Sequence, residues 1–120
     1  MQLKYLPSFV KRRGRITTRQ SKALEQLDNF LVTDFDDISE ALKNYSSCHL
    51  EIGFGNAKHL CKEAKLNKDT LYIGSEVYLS GIGSLLASII EMRIQNIRIY
   101  DQDIRLLLDT KPKEVFDNCL

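Results

Sequence analysis

The sequence predicts an α/β fold in which parallel strands alternate with helices. From residue 48 onward, short apolar runs alternate with longer segments whose apolar residues recur at helical spacing. A glycine pair follows the first of these runs and precedes the first of these helices. Strands that alternate with helices form parallel βαβ units with right-handed crossovers. The 120 residues, of which 43% are hydrophobic and 28% charged, suffice for one modest domain.

The N-terminal region is strongly basic. Residues 1–22 carry seven Lys or Arg and no acid, whereas the remainder carries ten Lys or Arg against sixteen Asp or Glu. This asymmetry suggests an anionic partner such as RNA for the arm, although a solvated tail is the alternative. The candidate RNA contacts are Lys11, Arg12, Arg13 and Arg15. We expect residues 1–45 to form a basic arm with N-terminal helices, and residues 46–120 to form the α/β domain.

A helix is predicted over residues 18–31, and a shorter one over 38–44. Thr17 is a favourable N-cap, and Gln20 follows it by three residues, as in a capping box. Apolar residues recur at helical spacing in the first helix: Ala23, Leu24, Leu27 and Leu31. This helix either presents Arg19 and Lys22 to RNA or packs against the domain with a solvated basic end.

The alternating region is predicted to contain four strands and three helices. The strands span residues 48–52, 70–76 and 97–100, with a fourth beginning at 115. The helices span residues 56–66, 81–93 and 103–109. Because the sequence stops inside the fourth strand, we expect an incomplete parallel sheet of about four strands.

The glycine pair predicts a ligand cradle. Gly53 and Gly55 can adopt backbone angles closed to other residues, and the first N–H groups of the predicted helix after them would point toward the turn. Glu51, at the strand end, would repel a pyrophosphate but would attract an ammonium group. This combination favours S-adenosylmethionine over a dinucleotide. Position 58 is Lys58, where the dinucleotide fingerprint requires a third glycine.

Each of the first three strands ends beside an acid, namely Glu51, Glu76 or Asp103. The carboxyl ends of parallel strands line the ligand crevice, so these acids are expected to converge. Glu76 lies near the spacing at which a carboxylate binds ribose hydroxyls, and Asp103 lies where an adenine amino group would lie. The alternatives are a turn cap for Glu51, a surface acid for Glu76 and a helix N-cap for Asp103, the last being compatible with binding.

Other polar residues near this edge receive no firm role. His49 and His59 lack a Cys or Ser partner at catalytic spacing and are assigned none. Tyr78 and the segment 81–83 either border the cofactor or begin a helix. The acidic stretch 34–37 lacks the glycine and distal glutamate of a calcium loop, so no metal site is predicted.

Several strings resemble the bacterial tRNA (guanine-N7-)-methyltransferases. The matching strings are Leu50-Glu-Ile-Gly-Phe-Gly55, Tyr72-Ile-Gly-Ser-Glu76-Val, Gly81-Ile-Gly83, Gly14-Arg-Ile-Thr17 and Asn96-Ile-Arg98 ahead of Asp103. The resemblance implies a Rossmann-like methyltransferase fold that uses S-adenosylmethionine, with Glu51, Glu76 and Asp103 as cofactor-binding residues. It also implies methyl transfer to N7 of a guanine in the variable loop of tRNA, the expected partner.

The sequence departs from this family in three respects, of which Ser75 before Glu76 is a mild change. Ala57 stands where the family usually has a glycine, and its methyl group would crowd the methionine part of the cofactor. The family's later Phe-Pro-Asp-Pro-Trp and Thr-Asn-x-Glu-like segments do not occur before Leu120. We therefore expect a C-terminally truncated methyltransferase, inactive as it stands, with no catalytic residue assigned. The alternatives are a non-catalytic RNA- or partner-binding remnant and an oxidoreductase fragment, the latter disfavoured by Lys58 and Glu51.

Cysteine usage and hydropathy indicate the cellular setting. The three cysteines, at positions 48, 61 and 119, lack metal-ligand spacing and are interpreted as reduced thiols in a cytoplasmic protein. No apolar run approaches the roughly 18 residues of a membrane span, so no membrane partner is expected.

Overall fold

The computed structural model describes residues 16–53 and 57–108. The elements, in chain order, are α1 Thr18–Leu24, a 3-10 helix Leu27–Asn29, α2 Phe35–Leu42, β1 Ser47–Ile52, α3 Ala57–Leu66, β2 Thr70–Ser75, α4 Leu79–Met92, β3 Ile97–Tyr100 and α5 Ile104–Leu108. The strands form one parallel sheet in the order β1-β2-β3. The predicted α/β class and parallel pairing are confirmed for these residues. The fourth strand, predicted from residue 115, lies outside them.

The sheet packs against helices on both faces. Tyr72, Ile97 and Ile99 belong to a buried cluster with α1, α3 and α4, and alternate along the strands with residues of a second cluster. That second cluster joins Leu71 and Ile73 to α2 and α5. Alternate residues of a strand point to opposite faces, so the two clusters lie on opposite sides of the sheet. This double coverage explains why β2 is an almost unbroken apolar run.

The first helix begins as predicted but ends early. The Gln20 N–H donates to Thr17 Oγ1 at 3.1 Å, and the Thr17 N–H donates to Gln20 Oε1 at 3.0 Å, completing the capping box. The prediction of one helix over residues 18–31 is wrong, because α1 ends at Leu24 and a 3-10 turn follows.

Residues beyond that turn extend the sheet instead. The Ile99 N–H donates to the Phe30 carbonyl at 2.8 Å, and the Val32 N–H donates to the Ile99 carbonyl at 2.9 Å. Leu31 thereby forms a parallel bridge to Ile99, on the side of β3 that faces away from β2. Pairing with β3 satisfies the backbone groups that a longer helix would otherwise have satisfied. This tertiary pairing therefore outweighs the helix predicted from the spacing of apolar residues.

Helix α1 packs closely against α4. Arg19 donates from Nε to Glu91 Oε2 and from Nη2 to Glu91 Oε1, both at 2.8 Å. Gly83 permits this approach, since a Cβ there would lie 2.9 Å from Gln20 Cβ. The sequence allowed α1 either to present Arg19 to RNA or to pack against the domain. The pairing of Arg19 with Glu91 favours packing.

Glu91→Gln is expected to cause a small loss of stability near pH 7 and none in acid. The hydrogen bond from Arg19 lowers the pKa of Glu91 from 4.5. A carboxyl whose folded pKa is depressed contributes stability above its unfolded pKa, and that contribution fades as pH falls through the folded pKa. Urea unfolding of both proteins at pH 7 and at successively lower pH measures the difference, which is expected to shrink as the carboxyl is protonated in the folded state. A difference that does not change with pH would contradict this assignment.

The two described cysteines differ from each other. Cys48 in β1 is disulfide-bonded in this structure, so the expectation of three reduced thiols is wrong for that residue. Cys61 in α3 is a buried free thiol, and burial raises its pKa to about 11. No helix within residues 16–53 and 57–108 is long and apolar enough to cross a membrane.

Candidate functional site

The carboxyl-terminal edge of the sheet carries the segments that contain the predicted site acids. The register places Ile52 beside Ser75, and Ser75 beside Tyr100, so the loops after the three strands leave the sheet at one edge. Two backbone bonds join these loops: the Gly53 N–H donates to the Ser75 carbonyl at 2.9 Å, and the Glu76 N–H donates to the Tyr100 carbonyl at 3.1 Å. In open parallel sheets, this edge is where ligands bind.

Gly53 begins the loop after β1 in a left-handed conformation. Its φ is +64°, which favours glycine, whereas a Cβ built there would have no atom within 4 Å. The backbone angle, and not the available space, is therefore what calls for glycine. Gly55, the second predicted glycine of the cradle, lies outside the described residues, and α3 begins just after this gap at Ala57.

The Glu76 carboxylate is oriented by the backbone that follows it. Its Oε2 accepts from the Val77 N–H at 3.0 Å and from the Tyr78 N–H at 3.3 Å. Gly81, in the first turn of α4, leaves room for the carboxylate, because a Cβ there would lie 3.2 Å from Glu76 Cγ. Among the described residues, no hydrogen bond reaches Oε1. The backbone thus orients the carboxylate through Oε2.

Glu51 contacts a residue to which the sequence assigned no role. His49 Nε2 lies 3.1 Å from Glu51 Oε1, and the His49 ring packs against the Tyr72 ring with centroids 5.3 Å apart. These residues line a cavity of about 210 Å³ between β1 and α3, which also includes His59, Leu60 and Glu63. No group of three or more His, Cys, Asp or Glu side chains suited to a metal ion occurs in the described ranges.

Asp103 caps α5. Its Oδ1 accepts from the Arg105 N–H at 2.9 Å, and its Oδ2 lies 2.6 Å from Arg105 Nη2. The alternative of an N-cap role is confirmed. Asp103 remains partly exposed, so the cap role is compatible with its predicted contact to the cofactor.

Asp101, which directly follows β3, was not among the predicted site residues. Only 1% of this residue is exposed, and a carboxyl is almost never so buried unless it is partnered. Its position immediately after a strand is the signal that would have drawn attention to it.

Exposed apolar side chains occur at or after the end of each strand. Ile52 is the last residue of β1, Tyr78 follows β2 and Leu106 lies in α5; each is more than half exposed. The candidate RNA contacts Lys11, Arg12, Arg13 and Arg15 lie outside the described residues.

The chain is similar to a known protein family and to several named relatives. Residues 45–119 match a family model described as "Putative methyltransferase". A tRNA (guanine-N(7)-)-methyltransferase of Francisella philomiragia is 32% identical over 123 aligned residues, covering 98% of this chain and 52% of the relative. One from Buchnera aphidicola is 39% identical over 105 residues, covering 84% and 44%. The chain spans about half the length of these curated relatives.

A solved structure shares the fold. The chain of "Structure of an antibiotic related Methyltransferase" is similar with a TM-score of 0.52 at 18% identity. The similarity covers 69% of this chain and 41% of that chain. At such low identity the likeness shows the fold alone, and it confirms the predicted Rossmann-like methyltransferase fold.

Proposed function

Since the chain belongs to this methyltransferase family, we propose that it holds the S-adenosylmethionine site of an enzyme that methylates N7 of a guanine in the variable loop of tRNA. The names of its relatives support the reaction and the substrate. The observation that carries the proposal is the Glu76 carboxylate, held by two backbone N–H groups and given space by Gly81 at the shared loop edge.

Each residue of the edge has a proposed role in holding the cofactor. Glu76 accepts hydrogen bonds from the ribose hydroxyls, Glu51 attracts the ammonium group, and Asp103 accepts from the adenine amino group. Gly53 and Gly55 let the ligand approach the backbone. S-adenosylmethionine, when bound, supplies a methyl group on a positively charged sulfur.

The proposed reaction asks little acid–base chemistry of the protein. Guanine N7 has a lone pair and no proton to remove, so no general base is needed at the nucleophile. The contribution of this chain is then to bind and orient, and orientation accounts for roughly 7–11 kcal/mol in favourable intramolecular reactions. The basic residues Lys11, Arg12, Arg13 and Arg15 are proposed contacts for tRNA phosphates.

Calorimetry with S-adenosylmethionine tests the proposed cofactor, and tritium transfer to unmodified tRNA tests the proposed reaction. The product is read as N7-methylguanosine after digestion of the tRNA. Product formation by the 120-residue chain would place the substrate site within these residues. A chain that binds tRNA but not the cofactor would favour the second candidate, a non-catalytic RNA-binding protein, which the basic arm supports.

Glu51→Gln is expected to weaken S-adenosylmethionine binding about fivefold or more, and to leave methylthioadenosine binding unchanged. Methylthioadenosine lacks the amino-acid part, so it offers no ammonium group to this carboxylate. A hydrogen bond to a charged group contributes roughly 1.5–3 kcal/mol, which partial exposure of Glu51 reduces. Glu63→Gln, in the same cavity, is the matched control. An equal loss for both ligands would contradict the role of Glu51.

A further inference from the structure

A second cleft lies at the amino-terminal edge of the sheet, opposite the edge that carries Glu76. It has a volume of about 360 Å³, and we call it the amino-edge cleft. The lining residues come from the segments that lead into the three strands: Tyr45, Lys65, Lys68, Met92, Arg93, Ile94, Gln95 and Asn96. This volume is within the range of sites that bind small ligands or single groups of larger ones.

The charge of this cleft is one-sided. Lys65, Lys68 and Arg93 are all exposed, and none of the described residues that line the cleft is acidic. Tyr45 supplies an aromatic ring, held by a hydrogen bond from its hydroxyl to the Gln95 carbonyl at 3.2 Å. Cations around an aromatic and apolar wall suit a phosphate joined to a base or sugar.

Arg93 gives an independent observation. It ends α4 with φ 55° and ψ 44°, and the Ile94 N–H donates to the Ile89 carbonyl at 3.0 Å. Glycine is the usual residue at such a helix end, because a Cβ in this conformation costs free energy. A strained position that keeps a cation points to a use for that cation.

The helix ends explain only part of this charge. Lys65 lies in the last turn of α3, and Arg93 follows α4, where a cation offsets the partial negative charge of the helix end. Lys68 lies in the turn before β2, beyond the last turn of α3, so this effect does not account for it.

We propose that the amino-edge cleft binds a backbone phosphate of RNA through Lys65, Lys68 and Arg93. The choice of RNA, and not the presence of an anion site, rests on the proposed function. A strand of six residues is about 20 Å long, so an RNA that reaches the cofactor edge is large enough to contact this edge also.

Fluorescence anisotropy with a single-stranded uridine 12-mer tests the proposal across a range of salt concentrations. Lys68→Gln and Arg93→Gln are each expected to weaken RNA binding threefold or more. Each is also expected to reduce the slope of log affinity against log salt by about 0.7, since one phosphate contact is lost. Lys62→Gln on α3 removes the same charge from an exposed site outside the cleft and is expected to have a smaller effect. Equal losses in all three variants would overturn the proposal.

Arg93→Gly separates binding from helix termination. Glycine suits the backbone conformation, so this variant is expected to keep or raise the melting temperature while it weakens RNA binding as Arg93→Gln does. Unchanged RNA affinity in Arg93→Gly would show that Arg93 serves only the helix end. Uridine monophosphate is the second probe, and cleft-dependent binding of the nucleotide that exceeds that of the 12-mer would overturn the choice of RNA.

The two proposals fail separately in these measurements. If every cleft variant binds RNA as the wild type does, and S-adenosylmethionine still binds, the RNA site in the amino-edge cleft is contradicted and the proposed cofactor site stands. If the cleft variants lose RNA binding but the wild type does not bind S-adenosylmethionine, the RNA site in the cleft is supported and the proposed cofactor site is contradicted.

Discussion

Glu76→Ala is expected to weaken S-adenosylmethionine binding by at least tenfold. The carboxylate is already oriented, because Oε2 accepts two backbone N–H groups from Val77 and Tyr78. A hydrogen bond to a charged acceptor contributes roughly 1.5–3 kcal/mol, and about 1.4 kcal/mol corresponds to a factor of ten in affinity. Two ribose hydroxyls bound to one carboxylate would exceed that factor. Calorimetry of the wild type and the variant measures it directly.

Two companion variants distinguish charge from position. Glu76→Gln keeps the shape but loses the charge, so its affinity is expected to lie between those of the wild type and Glu76→Ala. Gly81→Ala keeps the carboxylate but places a Cβ 3.2 Å from Glu76 Cγ, so it is expected to displace the acceptor and also weaken binding. Affinity equal to that of the wild type in Glu76→Ala would remove this residue from the cofactor site.

Stability is expected to change little in Glu76→Ala. The side chain is partly exposed, and water replaces the carboxylate at the Val77 and Tyr78 N–H groups. Surface substitutions of this kind usually fall within about 0.5 kcal/mol. Urea unfolding therefore provides the check that a loss of affinity arises from the site and not from unfolding.

The sequence predicts the sheet more accurately than the first helix. The third strand has the predicted bounds, Ile97–Tyr100, and β1 and β2 differ from theirs by one residue. Strands β2 and β3 are mostly buried, so their apolar runs are bounded sharply by polar turns, whereas β1 is only partly buried and ends at the glycine turn. The segment Phe30–Val32 was assigned to a helix because its spacing continues that of α1. Its partner Ile99 is almost seventy positions away, and spacing within one segment carries no information about such a partner.

In the candidate site, the position of the acids could be predicted from the sequence, but the side-chain contacts could not. Parallel topology alone predicts that Glu51 and Glu76 lie at one edge, since every strand of such a sheet ends there. The contact between His49 and Glu51 was not predicted, because both are partly exposed and their meeting depends on side-chain rotamers. The amino-edge cleft was not predicted either, since its cations come from two connections that are distant in sequence.

Asn96→Ala is expected to lower the free energy of unfolding by roughly 2–4 kcal/mol, the largest stability effect we predict. Asn96 is 5% exposed, and its Nδ2 lies 2.9–3.0 Å from the carbonyl oxygens of Ala64, Asn67 and Thr70, so its two N–H groups serve three acceptors. These bonds tie the end of α3 and the start of β2 to the turn before β3. Removing the amide takes one hydrogen bond from each carbonyl, although the Ala64 and Asn67 carbonyls still accept from the Asn67 and Thr70 N–H groups. The loss is therefore about 0.5–1.5 kcal/mol for each bond.

Urea unfolding followed by circular dichroism measures this loss, with Gln95→Ala as the matched control. Gln95 is the exposed neighbour in the same turn, so its substitution is expected to change stability by less than about 0.5 kcal/mol. Asn96→Asp keeps the shape but places carboxylate oxygens against the carbonyls, so it is expected to destabilise at least as much as Asn96→Ala. A loss below about 1 kcal/mol in Asn96→Ala would mean that water reaches these carbonyls. The turn that lines the amino-edge cleft would then owe its position to the backbone bond from the Tyr72 N–H to the Asn96 carbonyl, at 2.8 Å, which the substitution leaves in place.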